Sequence, residues 1–499
     1  MKKNVLVNIT LLALMLTLIG CIKTAPKVEP WQLTFNTPTT IGKVQSESQN
    51  NSSMIETKVY RNSGVTPTPD SPRVMPTLRK DPVDYSVQQG DSLSVIARNF
   101  GVDLNALLQE NKITNPNLVE VGQSLVIPTV DPNLKPVDFK IVPDSELVYS
   151  PSSIGFDCSS FLSQFSGYLS SLEYAEEVVM QVAEEYSVNP RILLTAFEYQ
   201  TGWLRSENKS LDPKTPVPTD AWKTNLYQVL GSIASDLNWG FYHWLDNKIG
   251  YFILKDGSYI PASGTINAGT AGVQYWAGNH FNKDEWIVAT SEQGIFNLYQ
   301  QFFGNPFNYS IDDLLPEDLK QPELILPFQN GIAWSFTGGP HSGWGVGTAW
   351  AALDFAPPGS PMGCVVSGDW VTAVADGLII RNEFGTVIQD LDGDGNEQTG
   401  WTILYLHISS WEQVQTGTQV LAGDNIGHTS CEGGVSSGSH LHIARRYNGI
   451  WMNAAGSIPF VMDGYSTEGS ENEYDGFLVK NGEYIEAWAY YRPESLVMR

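Results

Sequence analysis

From about residue 322 onward the chain is a succession of short β-forming runs cut by glycine-rich turns, among them WVTAVADGLIIRN, TGWTILYLHI and GSHLHIARRYNG, which predicts an antiparallel β domain. Five of the seven histidines, His341, His407, His428, His440 and His442, fall within it. A polar, turn-rich domain has no need of so many imidazoles for stability, so the cluster points to chemistry. In His440-Leu441-His442 the two rings stand two residues apart in a strand-like run. They therefore project from one face and can converge on one ion. Taken alone the pair is a weak signal, and an apolar core with incidental polar residues is the competing reading of the set. For His428 by itself a surface loop is expected.

The signal strengthens with an aspartate in Ala352-Leu353-Asp354-Phe355-Ala356 and a further histidine in Leu404-Tyr405-Leu406-His407-Ile408. Together with VTAVADGLII, VQTGTQVLAGDNIGHTS and SSGSHLHI, these residues resemble the LytM/lysostaphin-type zinc metallopeptidases over about 140 residues. The resemblance implies that Asp354 and His442 are zinc ligands and that His407 and His440 are catalytic. A catalytic zinc takes about three protein ligands, keeps a position for water and lowers that water's pKa toward about 7. One imidazole can then accept a proton while the other donates to the oxyanion of the tetrahedral intermediate. The reaction implied is hydrolysis of a peptide bond in peptidoglycan stems or cross-links. This family usually has its first zinc histidine four residues before the aspartate, a position held here by Trp350. His341 is the upstream candidate, and the glycines of SGWGVGTAW allow the loop to fold back, so His341 is expected as third ligand. Failing that, the alternative is a catalytically inactive, peptidoglycan-binding scaffold that regulates another cell-wall hydrolase.

The N-terminus, MKKNVLVNITLLALMLTLIGC, has two lysines, an apolar run and a small residue before Cys21, the build of a secretory signal. Its ending, Leu18-Ile19-Gly20-Cys21, resembles the lipobox of bacterial lipoproteins, which implies lipidation at Cys21 and an exported, membrane-anchored protein of the cell envelope. A plain signal peptide or short anchor is the alternative. Residues 22–83 are rich in Ser, Thr, Asn and Pro and read as a disordered tether.

Residues 84–129 run strand, GD turn, two short helical patterns, strand. They resemble the LysM module from Tyr85-Ser86-Val87 through Gly90-Asp91-Ser92-Leu93 to Gly122-Gln123 and Leu125-Val126-Ile127-Pro128. The resemblance implies binding of N-acetylglucosamine glycans by Gly90, Asp91, Ser92 and Leu93 with Asn115 and Pro116, while Ile96, Leu104, Leu107 and Leu108 form core. A linker at 130–155 leads to a mostly helical domain at 156–320. There VAEEYSVNPRILLTAFEYQTGW resembles the opening of lytic transglycosylases of lysozyme-like fold. Gln200 takes the place of that family's catalytic glutamate, and a glutamine cannot protonate a glycosidic oxygen. A degenerate, glycan-holding unit is expected, with an active glycosidase or a spacer as alternatives. The peptidase-like domain is set at 321–465 and a C-terminal extension at 466–499. The chain is thus a multidomain α+β protein.

A formal net charge of -25 argues against nucleic acid as partner, because phosphate binding needs a basic surface; the partners expected are peptidoglycan glycan and stem peptides, and the membrane through the anchor. With Cys21 lipidated, Cys158, Cys364 and Cys431 remain, and Cys364–Cys431 is the expected disulfide because both lie in the C-terminal domain. In DLDGDGNEQTG, Asp390, Asp392 and Asp394 have the spacing of the first three ligands of a calcium loop, but position twelve is Trp401 instead of glutamate. Calcium is weighed there against a solvated hairpin loop.

Overall fold

A computed structural model describes residues 73, 75, 81–88, 91–100, 102, 104–115, 119–129, 135–206, 222–311, 313–359 and 363–499. The expected signal segment, Cys21, nearly all of the 22–83 tether, Gly90 and Pro116 lie outside these residues. Among the described residues no helix is long and apolar enough to cross a membrane.

The first element group is β1 (Val83–Ser86), α1 (Leu93–Phe100), α2 (Leu104–Glu110) and β2 (Ser124–Ile127), with the two strands paired antiparallel. Leu93, Ile96, Leu107, Leu125 and Ile127 fill its small core. The GD turn is held by chemistry internal to it: the Asp91 carboxylate accepts from the Tyr85 hydroxyl at 2.8 Å and from the Gln88 amide at 2.7 Å.

The helical region is built on α3 (Ala175–Tyr186), α4 (Pro190–Thr201), α5 (Trp222–Leu245) and α6 (Ala268–His280). The α3–α4 corner is written locally. Ser187 takes the left-handed conformation (φ 53°) after α3; Asn189 then caps α4 by accepting from the Arg191 amide, with Pro190 at the first turn. Gly202, at φ 68°, ends α4. Inside, Arg191 donates to Glu146 at 2.6 and 2.9 Å and to the Tyr299 hydroxyl at 3.1 Å, so a buried charge is paired and fixes the short helix Asp144–Leu147 to α4. A short hairpin, β3 (Tyr251–Ile253) and β4 (Tyr259–Pro261), lies between α5 and α6.

The C-terminal region holds β5 (Ala333–His341), β6 (Ala352–Ala356), β7 (Trp370–Thr372), β8 (Gly377–Glu383), β9 (Thr386–Asp390), β10 (Trp401–Leu406), β11 (Gln419–Val420), β12 (Asn425–His428), β13 (Leu441–Tyr447) and β14 (Ile450–Trp451). They are followed by β15 (Val461–Met462), β16 (Tyr465–Gly469), β17 (Gly476–Lys480), β18 (Glu483–Glu486) and β19 (Leu496–Met498). The main sheet runs β11-β8-β9-β10-β13-β6-β5-β19, all antiparallel, with β14 paired to β13. β15 to β18 form a separate four-stranded sheet. The segment read as an extension from 466 therefore includes an edge strand of the main sheet, because β19 pairs with β5 through Leu496–Ser335 and Val497–Trp334. The strand runs are nearly continuous in burial rather than alternating, as in β10, whose six residues are all buried. One face packs on the apolar core around Phe328, Phe336 and Ile443, the other against the helical region through Leu404, Ala444 and Trp451.

Candidate metal centre

Register places the central pair. His442 on β13 lies directly opposite Asp354 on β6, and paired residues in an antiparallel sheet point to the same side. His341 reaches them through irregularity in β5. Its pairing with β6 slips between Phe336 and Gly338 and again between Gly338 and His341. As a result His341 stands across from Ala352, which shares a face with Asp354 two residues on. Gly338, opposite Asp354, must be glycine: a Cβ there would lie 2.7 Å from Asp354 Oδ2.

The three side chains meet. His341 Nε2 is 2.9 Å from His442 Nδ1, and Asp354 Oδ1 is 3.2 Å from the first and 3.3 Å from the second. The outer nitrogens fix the tautomers, because each faces a carbonyl that can only accept. His341 Nδ1 donates to Gly339 O at 2.8 Å and His442 Nε2 to Gly343 O at 3.0 Å. In the neutral rings, the two inner nitrogens then present lone pairs to a buried carboxylate oxygen that accepts no hydrogen bond. Three acceptors converging without a hydrogen among them leave a place that a cation can fill. Zinc bonds of about 2.0–2.1 Å in a tetrahedron require ligand–ligand edges of about 3.3 Å, so the donor set fits that ion. Burial opposes the charge of Asp354, but attraction to His341 and His440 outweighs it and holds the carboxyl well below its ordinary range. Burial likewise opposes charging His341, and the Asp354 carboxylate overrides it and raises the imidazole. A proton and a metal thus compete for one place.

Two more imidazoles flank the triad. His407 follows β10 in the left-handed region, at φ 65°, and its Nδ1 donates to Glu432 O at 2.9 Å. Burial first, then the neighbouring His440 and His442, push its pKa down to about 3, so its Nε2 stays a free base. His440 donates Nδ1–H to Gly438 O at 2.8 Å and turns Nε2 toward Asp354 Oδ1 at 3.7 Å; the His407 and His440 ring centroids are 4.6 Å apart. Glu432 holds this corner twice, since its carboxylate also accepts from Ser409 Oγ at 3.2 Å and the Ser410 amide at 3.1 Å. Cys431 beside it is joined to Cys364, with Cα atoms 5.4 Å apart, while Cys158 is a free, buried thiol.

Several expectations need correction. His428 is not in a surface loop: it is 1% exposed at the end of β12, stacked on Trp411 at 4.4 Å and against Trp370 at 3.9 Å. Leu93 cannot offer its side chain to a glycan, because it is wholly buried in the core of the β1–β2 unit. Asp91 is engaged in the turn hydrogen bonds described above; Ser92 is half-buried and Asn115 exposed. Trp350 lies outside the triad, with its carbonyl accepting from the Ala454 amide at 2.8 Å and its ring 5.7 Å from Lys248 Nζ. Gln200 is exposed near the end of α4, and Glu198 is buried, accepting from the Leu204 amide at 2.7 Å, so this carboxylate closes the helix end. Asp390, Asp392 and Asp394 do come together, but Asp390 already accepts from the amides of Asp392, Gly393 and Gly395 at 3.1, 3.1 and 2.9 Å. Burial and the two neighbouring carboxylates push Asp392 up to about 6. Sequence reasoning missed Tyr474, whose ring stacks on His341 at 4.2 Å and whose backbone binds Gly339 and Pro340. It also missed Glu432. Neither carries a local signal, because both act through loops that only the fold brings to the site.

Residues 362–454 match peptidase family M23, residues 85–128 the LysM domain and residues 140–316 the LasA N-terminal domain. Three stretches of the chain are thus similar to known domain families, the last of them a peptidase family. The M23 match contains His407, His440 and His442 and begins after His341 and Asp354. Among curated relatives, the beta-lytic metalloendopeptidase of Achromobacter lyticus is 28% identical over 183 residues, 34% of this chain and 45% of that protein. Protease LasA of Pseudomonas aeruginosa is 24% identical over 345 residues, 63% of this chain and 75% of that protein. The beta-lytic metalloendopeptidase of Lysobacter enzymogenes is 26% identical over 175 residues, 34% of this chain and 94% of that protein. The chain thus spans under half of the Achromobacter relative. Among solved structures, the M23 metalloprotease pseudoalterin matches at 26% identity, covering 36% of this chain and 99% of its own, with a TM-score of 0.29.

Proposed function

We propose that the protein is a zinc-dependent endopeptidase that hydrolyses peptide bonds in peptidoglycan stems or cross-links, anchored to the membrane through lipid on Cys21 and brought to the wall by its LysM domain. The observation that carries this reading is the His341–Asp354–His442 triad, two imidazole nitrogens converging on an orphaned carboxylate oxygen. Zinc held there would supply a Lewis acid and an acidified water. His407, with Nδ1 committed to Glu432, presents Nε2 to the site, where it would take the proton of the attacking water and return it to the leaving amine. His440, whose Nε2 faces the same space, would line the site beside the oxyanion that develops on the substrate carbonyl. The cut adds water across the C–N bond and leaves a carboxylate and an amine.

The parts of this reading are a signal peptide at 1–21, a tether at 22–83, a glycan-binding module at 84–129, a helical domain whose core takes in Ile141, Val142 and Leu147 of the segment first read as linker, and the peptidase domain from 321. Binding and cutting on one tethered chain would raise the local substrate concentration. The scaffold alternative leaned on Trp350, and that argument weakens with His341 beside Asp354. The absence of an acid at Gln200 bears on the helical domain alone. Elemental analysis of the full chain beside Asp354→Ala tests the reading: one zinc per chain, lost in the variant, with wall digestion lost in parallel, is expected. A chain that takes up no zinc from metal-replete medium would sink it.

A further inference from the structure

Between His341 and Asp354 the chain makes the loop 342–351, and this loop is seated in the helical domain. His442 Nε2 donates to the carbonyl of Gly343 at 3.0 Å, so the loop sets the tautomer and direction of one triad histidine. Gly343 in turn lies on the buried Trp451, where a Cβ would stand 2.6 Å from the indole. Trp451 is held by two groups of the helical domain: its amide donates to the Tyr242 hydroxyl at 2.9 Å and its indole N–H to the Tyr186 carbonyl at 3.2 Å. Further along, Gly345 and Gly347 have positive φ, 57° and 95°, and a Cβ on them would lie 2.7 Å from the Tyr186 ring and 2.3 Å from the Ser235 carbonyl. The loop thus runs flush against α3 and α5, with no room for a side chain at either contact.

We propose that the helical domain is a positioning part of the metal centre: by clamping the 342–351 loop it holds the Gly343 carbonyl that orients His442, and the affinity of the triad for its metal depends on that clamp. This rests on the reading of the triad as a metal site. Carbonyls that fix a ligating imidazole typically alter metal affinity about ten- to hundred-fold when displaced, without touching a ligand. The helical domain is then neither a spacer nor only a glycan holder.

The test is zinc affinity of the full chain, measured by competition with a chromophoric chelator, in wild type, Gly347→Ala, Tyr242→Phe and Gly449→Ala. Gly347→Ala pushes the loop off Ser235, and Tyr242→Phe releases the Trp451 amide with a milder change should the first variant not fold. Gly449 is the comparison at the same domain contact, because a Cβ there would meet the Tyr149 carbonyl at 2.2 Å, two residues from Trp451 but without touching the 342–351 loop. Weakening of about ten-fold or more in Gly347→Ala and Tyr242→Phe, with Gly449→Ala near wild type, is expected. Unchanged affinity in both loop variants, or equal loss in all three, overturns the proposal. Unchanged affinity with raised peptidase turnover also overturns it, since the helical domain would then be a restraint. A wild-type chain that binds no zinc fails the metal reading itself and is told apart by that result.

Discussion

The residue on which the site turns is His341, because it stands outside the usual spacing and reaches Asp354 only through the slipped register of β5. Replacing it with alanine removes one of three converging donors and leaves Asp354 Oδ1 facing His442 alone at 3.3 Å, with His440 at 3.7 Å. A zinc site of four protein ligands is worth about 10–16 kcal/mol, or roughly 3 kcal/mol per ligand. One lost ligand should therefore weaken zinc by about 10²–10³-fold, at about 1.4 kcal/mol per factor of ten. The assay is chelator competition on the full chain at fixed pH, with Trp350→His in the His341→Ala background as a second arm. Trp350 is tied to Ala454 and lies beside Lys248, outside the triad, so restoring a histidine there should not recover affinity. Wild-type affinity in His341→Ala, or rescue by Trp350→His, would refute the assignment and the register argument beneath it.

Other expectations follow from the same geometry. His407→Ala should retain zinc and lose about 10²–10⁴-fold in turnover, the usual worth of a positioned base, because its side chain is not one of the converging donors; loss of metal would show that it is a ligand. Zinc affinity should fall as pH drops through the neutral range, since His341 is held above its ordinary value and takes up a proton where the metal would sit; a flat affinity between pH 8 and pH 6 would contradict this. Stability of the metal-free chain should show a His407 contribution of definite sign. The unfolded ring protonates near pH 6.5 and the folded one only near 3, so stability is full above about 6.5 and is lost progressively as pH falls between those values; denaturant melts of His407→Gln, showing a weaker acid-side decline, check it. In the LysM unit, Leu93→Ala should cost about 2–5 kcal/mol of that unit's stability as a core truncation; sacculus binding lost without any loss of stability would restore Leu93 as a contact residue.

How much of this was legible beforehand depends on how locally each feature is encoded. The β1-α1-α2-β2 order followed from a turn signal and apolar spacing along one short segment, and the mostly helical character of 156–320 from apolar periodicity. His440 and His442 were readable as a pair because strand periodicity places alternate residues on one face. His428 was misplaced because its burial depends on Trp370 and Trp411, which β7 and the segment after His407 bring to it from distant points in the chain. Leu93 was misjudged because a turn residue and a core residue look alike where a helix begins.

The amino-acid sequence by itself therefore carried the modular order, the β class of the last domain and, through runs that resemble a metallopeptidase family, the candidate residues Asp354, His407, His440 and His442. Tertiary structure alone decided that His341 completes the triad. Two register slips in β5 turn its side chain to the face of Asp354, and strand slippage is set by the pairing of whole strands rather than by any spacing in the chain. It alone also put Glu432 behind His407, Tyr474 over His341 and the helical domain behind Gly343, because each of these contacts joins segments whose meeting depends on the packed fold.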